Sequence, residues 1–357
     1  MKTYIKFLLN LFLTSFFKTF FIFFLVILIT NLLEQIEFFK QVNFHFTYII
    51  FLSFLNTPSV TFEILPFIFL ISTQIFFIKL IDNNELEILK YSGINNNKLI
   101  RIIGTISFIL GILLIIFFYN ISSIMKNTYL EIKNKHTKDD KYLAVITENG
   151  LWIKDEIDNK INIINASNVS DEFLLNVFIT QFDKDYNLIK TIQSSRVNVT
   201  SYTWKLYNVT TSKENQISRF PEGLLLSNFD LKKINSLFSN LSSLTVPELI
   251  KLRKSYKSLN YSLIEIDSHL YKIASYPIYL TLITLLSSVI MFNIGYQKST
   301  LFKIISGILL SVVIYYINYF FNVLGTSEKI PVILSISFPL ILLAIINMIS
   351  IIRLNEK

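Results

Sequence analysis

The sequence predicts a polytopic α-helical membrane protein with an inserted all-β, jelly-roll-like domain. Six stretches are dominated by Phe, Ile, Leu and Val, and each approaches or exceeds the ~20 residues that a helix needs to cross a bilayer core. A long block of ordinary polar composition, from about Lys126 to Lys272, separates the third stretch from the fourth. The six apolar stretches are residues 8–33, 48–81, 99–121, 272–296, 301–324 and 331–352.

Composition supports an integral membrane protein. Hydrophobic residues make up 52% of the chain and charged residues only 16%, whereas soluble domains carry about 25% charged residues. There are no cysteines, which excludes disulfides, thiol nucleophiles and Cys-ligated metals. Basic residues at cytoplasmic helix ends explain the net charge of +8. Nucleic-acid binding is not expected, because the polar block lacks a basic stripe with interleaved aromatic residues.

The first apolar stretch is expected to be a retained span. It is too long for the apolar core of a signal peptide, and no small-residue cleavage site follows it. Lys18 lies inside this stretch and can extend its amine to the headgroups if it is near the cytoplasmic end. We then expect a surface segment from Met1 to about Phe17 before the chain turns into the membrane. Alternatively, the charge of Lys18 faces the path of a transported substrate.

The distribution of Lys and Arg predicts the orientation. An even number of spans places both termini on one side, where the short segments are rich in cations such as Lys98 and Arg353. The short segments on the other side carry few, among them Lys40 and Lys329. The positive-inside rule therefore predicts cytoplasmic termini and an external polar block, which lies in the periplasm of a two-membrane bacterium or in an equivalent space.

The polar block predicts a β domain. From Tyr142 onward, short alternating runs are separated by turn residues such as Glu148-Asn149-Gly150. Strands at this spacing are typical of a sandwich, an open barrel or a jelly roll. Helical spacing returns over residues 237–257, which predicts a helix that leads back to the fourth span. The predicted domains are residues 1–125, 126–268 and 269–357.

The cytoplasmic loop between the second and third spans predicts a short helix near residues 83–93. Acidic and apolar residues from Glu85 onward predict a helix of one or two turns, and Gly93 marks the expected end of that helix. A short helix held between two spans moves with both, which suits it to receive force from a soluble partner. An ordinary connection with solvated charges is equally compatible with a loop of this length.

Several short sequence motifs, which we call landmarks, occur in order along the chain. They are residues 64–66 together with 85–94, then 148–155, 204–209 and 270–277. With three spans, a β domain and three more spans, they resemble the LptF/LptG family of permeases, the membrane subunits of the lipopolysaccharide-export ABC transporter. The hairpin at 148–155 and the strand around Trp204 favour the LptG-like member over the LptF-like one.

The resemblance implies a permease subunit that is not itself an enzyme and needs no cofactor. Its implied partners are a second six-span permease of the LptF-like type, an LptB-type ATPase dimer, an LptC-type bitopic protein and the lipopolysaccharide substrate. The paired permeases enclose a cavity open toward the outer leaflet, which collapses when nucleotide closes the ATPase dimer. The chain has no Walker A pattern, which agrees with ATP hydrolysis on another subunit.

Carried over residue by residue, the resemblance assigns ATPase coupling to the short cytoplasmic helix. The implied residues are Glu85, Leu86, Glu87 and Leu89, which would dock in a groove of the ATPase, and Gly93, which ends the helix. An acidic side chain opposite a basic pocket contributes roughly 1–3 kcal/mol if it is partly buried.

The lipid path has five candidate residues, and each has a simpler alternative. Family members carry basic residues at the outer end of the first span, whereas this chain has only Lys40 there, beside two glutamates. Lys40 and Glu63 are also compatible with an interfacial position, and Trp152 with core packing like that expected of Trp204. If Lys40 is the only cation of this chain at that end, there are two alternatives. Either the partner subunit supplies most of the positive charge that meets the lipid, or the exported lipid is less phosphorylated. The candidates are Lys18, Asn31, Lys40, Glu63 and Trp152.

Other functional classes fit the sequence less well. A membrane-anchored periplasmic sensor or assembly scaffold without transport activity is the alternative, but it predicts a cytoplasmic output domain that this sequence does not contain. A lipid-modifying enzyme needs catalytic polar residues clustered at one interface, and none stands out. The three histidines lack metal-ligand spacing, so no metal site is expected.

Overall fold

The computed structural model divides the chain into two compact units. One comprises Met1–Tyr129 with Ile264–Lys357, and the other comprises Leu130–Leu263. The first unit is helical and the second contains a β-sheet, so the predicted helical membrane protein with an inserted β domain is confirmed. The structure describes residues 3–40, 45–135, 151–157, 160–170, 172–213, 216–231, 234, 240–258, 263–294 and 300–355.

Six helical stretches of the described chain are long and apolar enough to cross a membrane, as the sequence predicted. They are Thr3–Phe38, Leu65–Asp82, Asn96–Lys133, Ile264–Asn293, Leu301–Thr326 and Val332–Leu354. The helices are α1 (Thr3–Phe38), α2 (Phe46–Glu63), α3 (Leu65–Asp82), α4 (Glu85–Tyr91), α5 (Asn96–Leu113), α6 (Asn120–Lys135), α7 (Val246–Ser258), α8 (Ile264–Ile294), α9 (Thr300–Thr326) and α10 (Val332–Asn355), with a π-helical segment over Leu114–Tyr119 between α5 and α6.

Helix α1 is continuous, so the predicted surface segment that turns into the membrane after Phe17 is wrong. The helix has 36 residues, which corresponds to about 54 Å at 1.5 Å per residue. It contains neither Pro nor Gly, the residues that most often kink a helix. Because a bilayer core is only ~30 Å thick, α1 extends beyond the hydrocarbon region.

The second apolar stretch, predicted as one span over residues 48–81, forms two helices instead. Helix α2 ends at Glu63 and α3 begins at Leu65, with Ile64 between them. Pro66 explains the break, because proline has no N–H to donate to the carbonyl four residues earlier and its ring crowds that carbonyl. Of the two helices, only α3 meets the length and hydropathy of a span by itself.

The β domain is a six-stranded antiparallel sheet whose strands pair in chain order. The predicted turn at residues 148–150 and the alternating run that begins at Tyr142 lie outside the described residues. The strands are β1 (Leu151–Ile157), β2 (Lys160–Ser170), β3 (Phe173–Phe182), β4 (Leu188–Asn198), β5 (Thr203–Lys213) and β6 (Gln216–Leu226).

The two tryptophans have opposite environments. Trp204 is fully buried in the sheet core, and its indole Nε1 donates a 2.7 Å hydrogen bond to the carbonyl oxygen of Phe229. Core packing is therefore confirmed for Trp204. For Trp152 it is wrong, because Leu151 and Ile153 point into the core and strand alternation turns Trp152, 56% exposed, to the opposite face.

A buried carboxylate connects the two ends of the sheet. Asp155 of β1 is fully buried and accepts hydrogen bonds from Ser227 Oγ (2.8 Å), Asn228 N (3.0 Å) and Asn228 Nδ2 (2.8 Å). These donors follow β6 directly, whereas β1 lies at the other end of the strand order. The sheet must therefore curl so that its first strand meets the chain that leaves its last strand.

A line of irregular pairing crosses the sheet from β2 to β6. On each of these strands, one residue is skipped in the pairing with the neighbouring strands. The pairs before and after the skipped residue keep the same register. Two of the omitted residues, Asn176 and Asn208, have left-handed backbones with φ of 49° and 53°. Asn208 Nδ2 donates to Ser195 Oγ over 3.2 Å. This line, which we name the crease, consists of Ser167, Asn176, Ser195, Asn208 and Pro221.

We expect Asn208→Ala to destabilise the β domain by about 1 kcal/mol, because a side chain other than Asn, Asp or Gly is costly in the left-handed region. Asn208→Gly is the matched control, since it also removes the amide but tolerates the positive φ. Thermal unfolding of the detergent-purified chain should rank wild type and glycine above alanine. Equal losses in both variants would assign the effect to the Ser195 hydrogen bond instead.

Candidate functional site

Helix α4 is attached to the membrane spans by its apolar residues. Leu86 and Leu89 are buried in a cluster that includes Leu8 and Phe12 of α1 and Phe77 of α3. The connection from α3 to α4 consists of Asn83 and Asn84 alone. Packing and short connections together make α4 move with the helices around it.

The end of α4 has the geometry that the sequence predicted from Gly93. The helix ends at Tyr91, and Gly93 has a φ of 79° in the left-handed region. Gly93 N donates to Lys90 O (2.9 Å) and Ile94 N donates to Leu89 O (3.0 Å), the two hydrogen bonds of a Schellman motif. Ile94 and Leu89 belong to the same buried cluster, which completes the hydrophobic contact of that motif.

The exposed face of α4 combines an acid with two apolar side chains. Ile88 is 61% exposed and Tyr91 is 89% exposed, and Glu87 is exposed beside them. Spacings of three and four residues place these side chains on one face of the helix. Ile88 and Tyr91 were not identified from the sequence, although both are large apolar residues on the face opposite the buried leucines.

Glu85 and Glu87 lie in the first turn of α4, where a carboxylate interacts favourably with the helix dipole. Glu85 Oε1 accepts a 3.5 Å contact from Asn83 Nδ2. Its other carboxylate oxygen, Oε2, is buried and has no hydrogen-bond partner within the described part of the chain. A buried carboxylate oxygen without a donor is unfavourable in this arrangement.

The burial of Leu86 and Leu89 does not support their expected docking in a groove of the ATPase. Both leucines contact the spans of this chain, so they are unavailable to a partner in this arrangement. Lys90 is exposed as well. The accessible surface of α4 is therefore formed by Glu87, Ile88, Lys90 and Tyr91.

The break between α2 and α3 is stabilised by a hydroxyl from another span. Because Pro66 has no N–H, the Phe62 carbonyl lacks its usual helical donor. Tyr276 of α8 fills this role: its Oη donates a 2.6 Å hydrogen bond to Phe62 O. The rings of Phe62 and Tyr276 also stack, with 4.7 Å between centroids. Two landmarks distant in sequence, residues 64–66 and 270–277, thus meet in space.

Helices α5 and α8 approach each other closely beside this break. A Cβ added to Gly111 would lie 3.0 Å from the backbone Cα of Pro277, so only glycine fits without displacement. The π-helical segment follows directly, and Tyr119 at its end contacts His269 of α8, with 3.0 Å between Oη and Nε2. Such π-helical insertions re-aim side chains and occur often at functional sites.

Glu63, the last residue of α2, is exposed and has two cationic neighbours. Its carboxylate attracts the amines of Lys126 in α6 and Lys272 in α8. These two lysines were not identified from the sequence, because the residues that bring them near Glu63 are far apart along the chain. The environment of Glu63 is therefore a mixed-charge cluster, which makes the carboxylate less costly near a bilayer.

Asn31 is a structural contact between α1 and α2. Its side chain is buried, with Nδ2 donating to Thr57 Oγ1 over 3.1 Å and Oδ1 accepting from Asn56 Nδ2 over 3.2 Å. Because both ends of the amide are bonded inside the bundle, this geometry favours helix packing over contact with a transported lipid.

The structure does not gather the remaining lipid-path candidates into one site. Lys18 is exposed on α1, about 20 Å from Asn31 along the helix axis at 1.5 Å per residue. Lys40 is exposed in the turn that follows α1. Trp152 is exposed on β1, in the other compact unit.

We expect Tyr276→Phe to lower the thermal stability of the purified chain by about 1–3 kcal/mol, because it leaves the Phe62 carbonyl without its hydroxyl donor in a buried position. The ring stack is retained, so the loss isolates the hydrogen bond. Tyr315→Phe, on the exposed face of α9, is the control and should melt like wild type. A Tyr276→Phe variant as stable as this control would show that the Phe62 carbonyl does not need the hydroxyl.

Comparison with known proteins agrees with the fold. The family described as Lipopolysaccharide export system permease LptF/LptG matches residues 6–353, which include all six candidate spans nearly in full and the inserted sheet. A comparison with curated proteins gives no match. The matching family is one of transport permeases rather than enzymes. This multi-pass membrane protein therefore belongs to the LptF/LptG family of lipopolysaccharide export permeases.

Proposed function

We propose that the chain is the LptG-like permease subunit of an ABC transporter that extracts lipopolysaccharide from the inner membrane and passes it to a periplasmic bridge. A second, LptF-like permease completes the membrane part, an LptB-type dimer hydrolyses ATP, and an LptC-type protein joins on the periplasmic side. The observation that carries this proposal is α4, which is anchored on the spans and exposes an acidic and apolar face.

In this proposal α4 is the coupling helix, and its two faces have different roles. Leu86 and Leu89 anchor the helix on α1 and α3, so that a displacement of α4 is transmitted to both. Glu87, Ile88 and Tyr91 contact the ATPase, and the Glu85 carboxylate in the same helical turn as Glu87 adds negative charge that favours a basic partner surface. Apolar side chains as exposed as Ile88 and Tyr91 are typical of protein contact sites.

We further propose that Lys40 and Glu63 contact the exported lipid, since both are exposed and follow from the predicted orientation as outer-leaflet residues. The charges support this in one respect: Glu63 is accompanied by Lys126 and Lys272. A mixed cluster of this kind supplies donors for phosphate without leaving an unpaired acid in the membrane.

We expect Glu87→Lys to reduce co-purification of the ATPase about ten-fold or more, because it places a like charge opposite a basic docking surface. The measurement is a pull-down of the tagged chain in mild detergent, with quantification of the ATPase and the second permease. Glu34→Lys, an equal charge reversal on an exposed residue at the opposite end of α1, is the control. Unchanged ATPase recovery with Glu87→Lys would contradict the coupling role.

The absence of native cysteines makes the proposed orientation directly testable. Ser92→Cys follows α4 and Ser201→Cys lies between β4 and β5, and both positions are exposed. A membrane-impermeant maleimide should label Ser201→Cys when only the outer membrane is permeabilised. It should label Ser92→Cys only after the inner membrane is opened. The reverse pattern would invert the topology and exclude a cytoplasmic α4.

A further inference from the structure

Two cations meet between α1 and α3 close to α4. Lys79 Nζ donates a 3.2 Å hydrogen bond to Ser15 Oγ. Lys18 lies three residues after Ser15, so it projects from the same face of α1. The Lys18 amine repels the Lys79 amine. Lys18 is exposed and Lys79 is half-buried, which leaves the space between the two amines accessible from outside the bundle.

Within the described part of the chain, no carboxylate offsets the charge of Lys79 appreciably. Among the described residues, Lys18 is the one charged side chain that acts appreciably on the Lys79 amine. Asp82 follows one turn later, but it is exposed at the end of α3. Two like charges near a medium of low dielectric constant repel strongly. A small anion held between them would convert that repulsion into two attractive contacts.

The position of the pair identifies the source of the anion. Lys79 precedes the last residue of α3, Asp82, by one helical turn, and α4 follows directly. In the orientation proposed above, this end of α3 lies where the hydrocarbon of the inner leaflet meets its headgroups. Basic pockets between transmembrane helices on the cytoplasmic side are typical sites for anionic lipid headgroups.

We propose that Lys18, Lys79 and Ser15 bind the phosphate of an anionic phospholipid in the inner leaflet. This site lies on the α4 side of the bundle, at the opposite end from the residues proposed to contact the exported lipid. The lipid links α1 to α3 beside the cluster that anchors α4, where Leu8 and Phe12 of α1 contact Leu86 and Leu89. The cytoplasmic placement rests on the proposed function, whereas the binding itself does not.

The test is lipid binding to the full-length chain in neutral detergent, measured by native mass spectrometry with phosphatidylglycerol and phosphatidylcholine. Wild type should prefer phosphatidylglycerol. Lys18→Gln with Lys79→Gln should weaken phosphatidylglycerol binding roughly 25-fold, at about five-fold for each lysine. Lys18→Arg with Lys79→Arg should retain it, which separates loss of charge from loss of fold.

Matched controls decide between this site and general electrostatics. Lys6→Gln with Lys98→Gln removes the same charge from two exposed lysines and should leave phosphatidylglycerol binding within about two-fold of wild type. Equal weakening in both double variants would overturn the proposal, as would equal wild-type affinity for phosphatidylcholine. Displacement of the lipid by millimolar inorganic phosphate would overturn the assignment to a lipid and identify a free-phosphate site.

The phosphatidylglycerol-binding test and the ATPase co-purification test can fail independently of each other. Glu87→Lys should bind phosphatidylglycerol like wild type, because Glu87 is an exposed residue of α4, whereas Lys18 and Lys79 belong to α1 and α3. A failure of ATPase co-purification to respond to Glu87→Lys would therefore overturn the proposed function and leave the lipid site standing. Loss of the lipid preference in Glu87→Lys would contradict the separation of the two sites.

Discussion

The helical unit depends on one constraint, which is that every backbone polar group inside a bilayer needs a partner within the protein. Pro66 violates this constraint locally by removing an N–H between α2 and α3. The hydroxyl of Tyr276 restores the missing donor for the Phe62 carbonyl at 2.6 Å, and the adjacent Gly111 lets α5 approach α8 at Pro277. Residues 64–66 and 270–277 of this chain are therefore related physically, because a helix break in one span requires a donor and close packing from others.

The same helical bundle determines which residues of α4 are accessible to a partner. Its two leucines are part of the core formed with α1 and α3, so the helix is a rigid extension of the spans. The residues left accessible are Glu87, Ile88, Lys90 and Tyr91, a combination of charged and apolar side chains that both orients and desolvates a contact. Adjacent to this core, Lys18 and Lys79 concentrate positive charge where α1 and α3 meet. The contacts that we propose for the ATPase and for the phospholipid would thus both adjoin this packed cluster.

The features predicted correctly from sequence depend on composition and local geometry: six spans, an inserted β domain, a short helix before Gly93 and a core position for Trp204. The errors arose where tertiary contacts decide. Hydropathy gave residues 48–81 as one span because it is insensitive to a single Pro66 within an apolar run. The docking of Leu86 and Leu89 in the ATPase, which the resemblance implied, stays a prediction, and periodicity could not show that α1 and α3 cover the two leucines. Lys126 and Lys272 became visible only when the fold brought them to Glu63.

The crease has a mechanical consequence for the β domain. The covalent backbone resists stretching along each strand. The line from Ser167 to Pro221, however, interrupts regular pairing at the same level on five neighbouring strands. We expect the sheet to bend more readily about that line than elsewhere, because regular pairing is interrupted there. Asp155 fastens the first strand to the chain that leaves the last one, so such bending would leave this attachment in place.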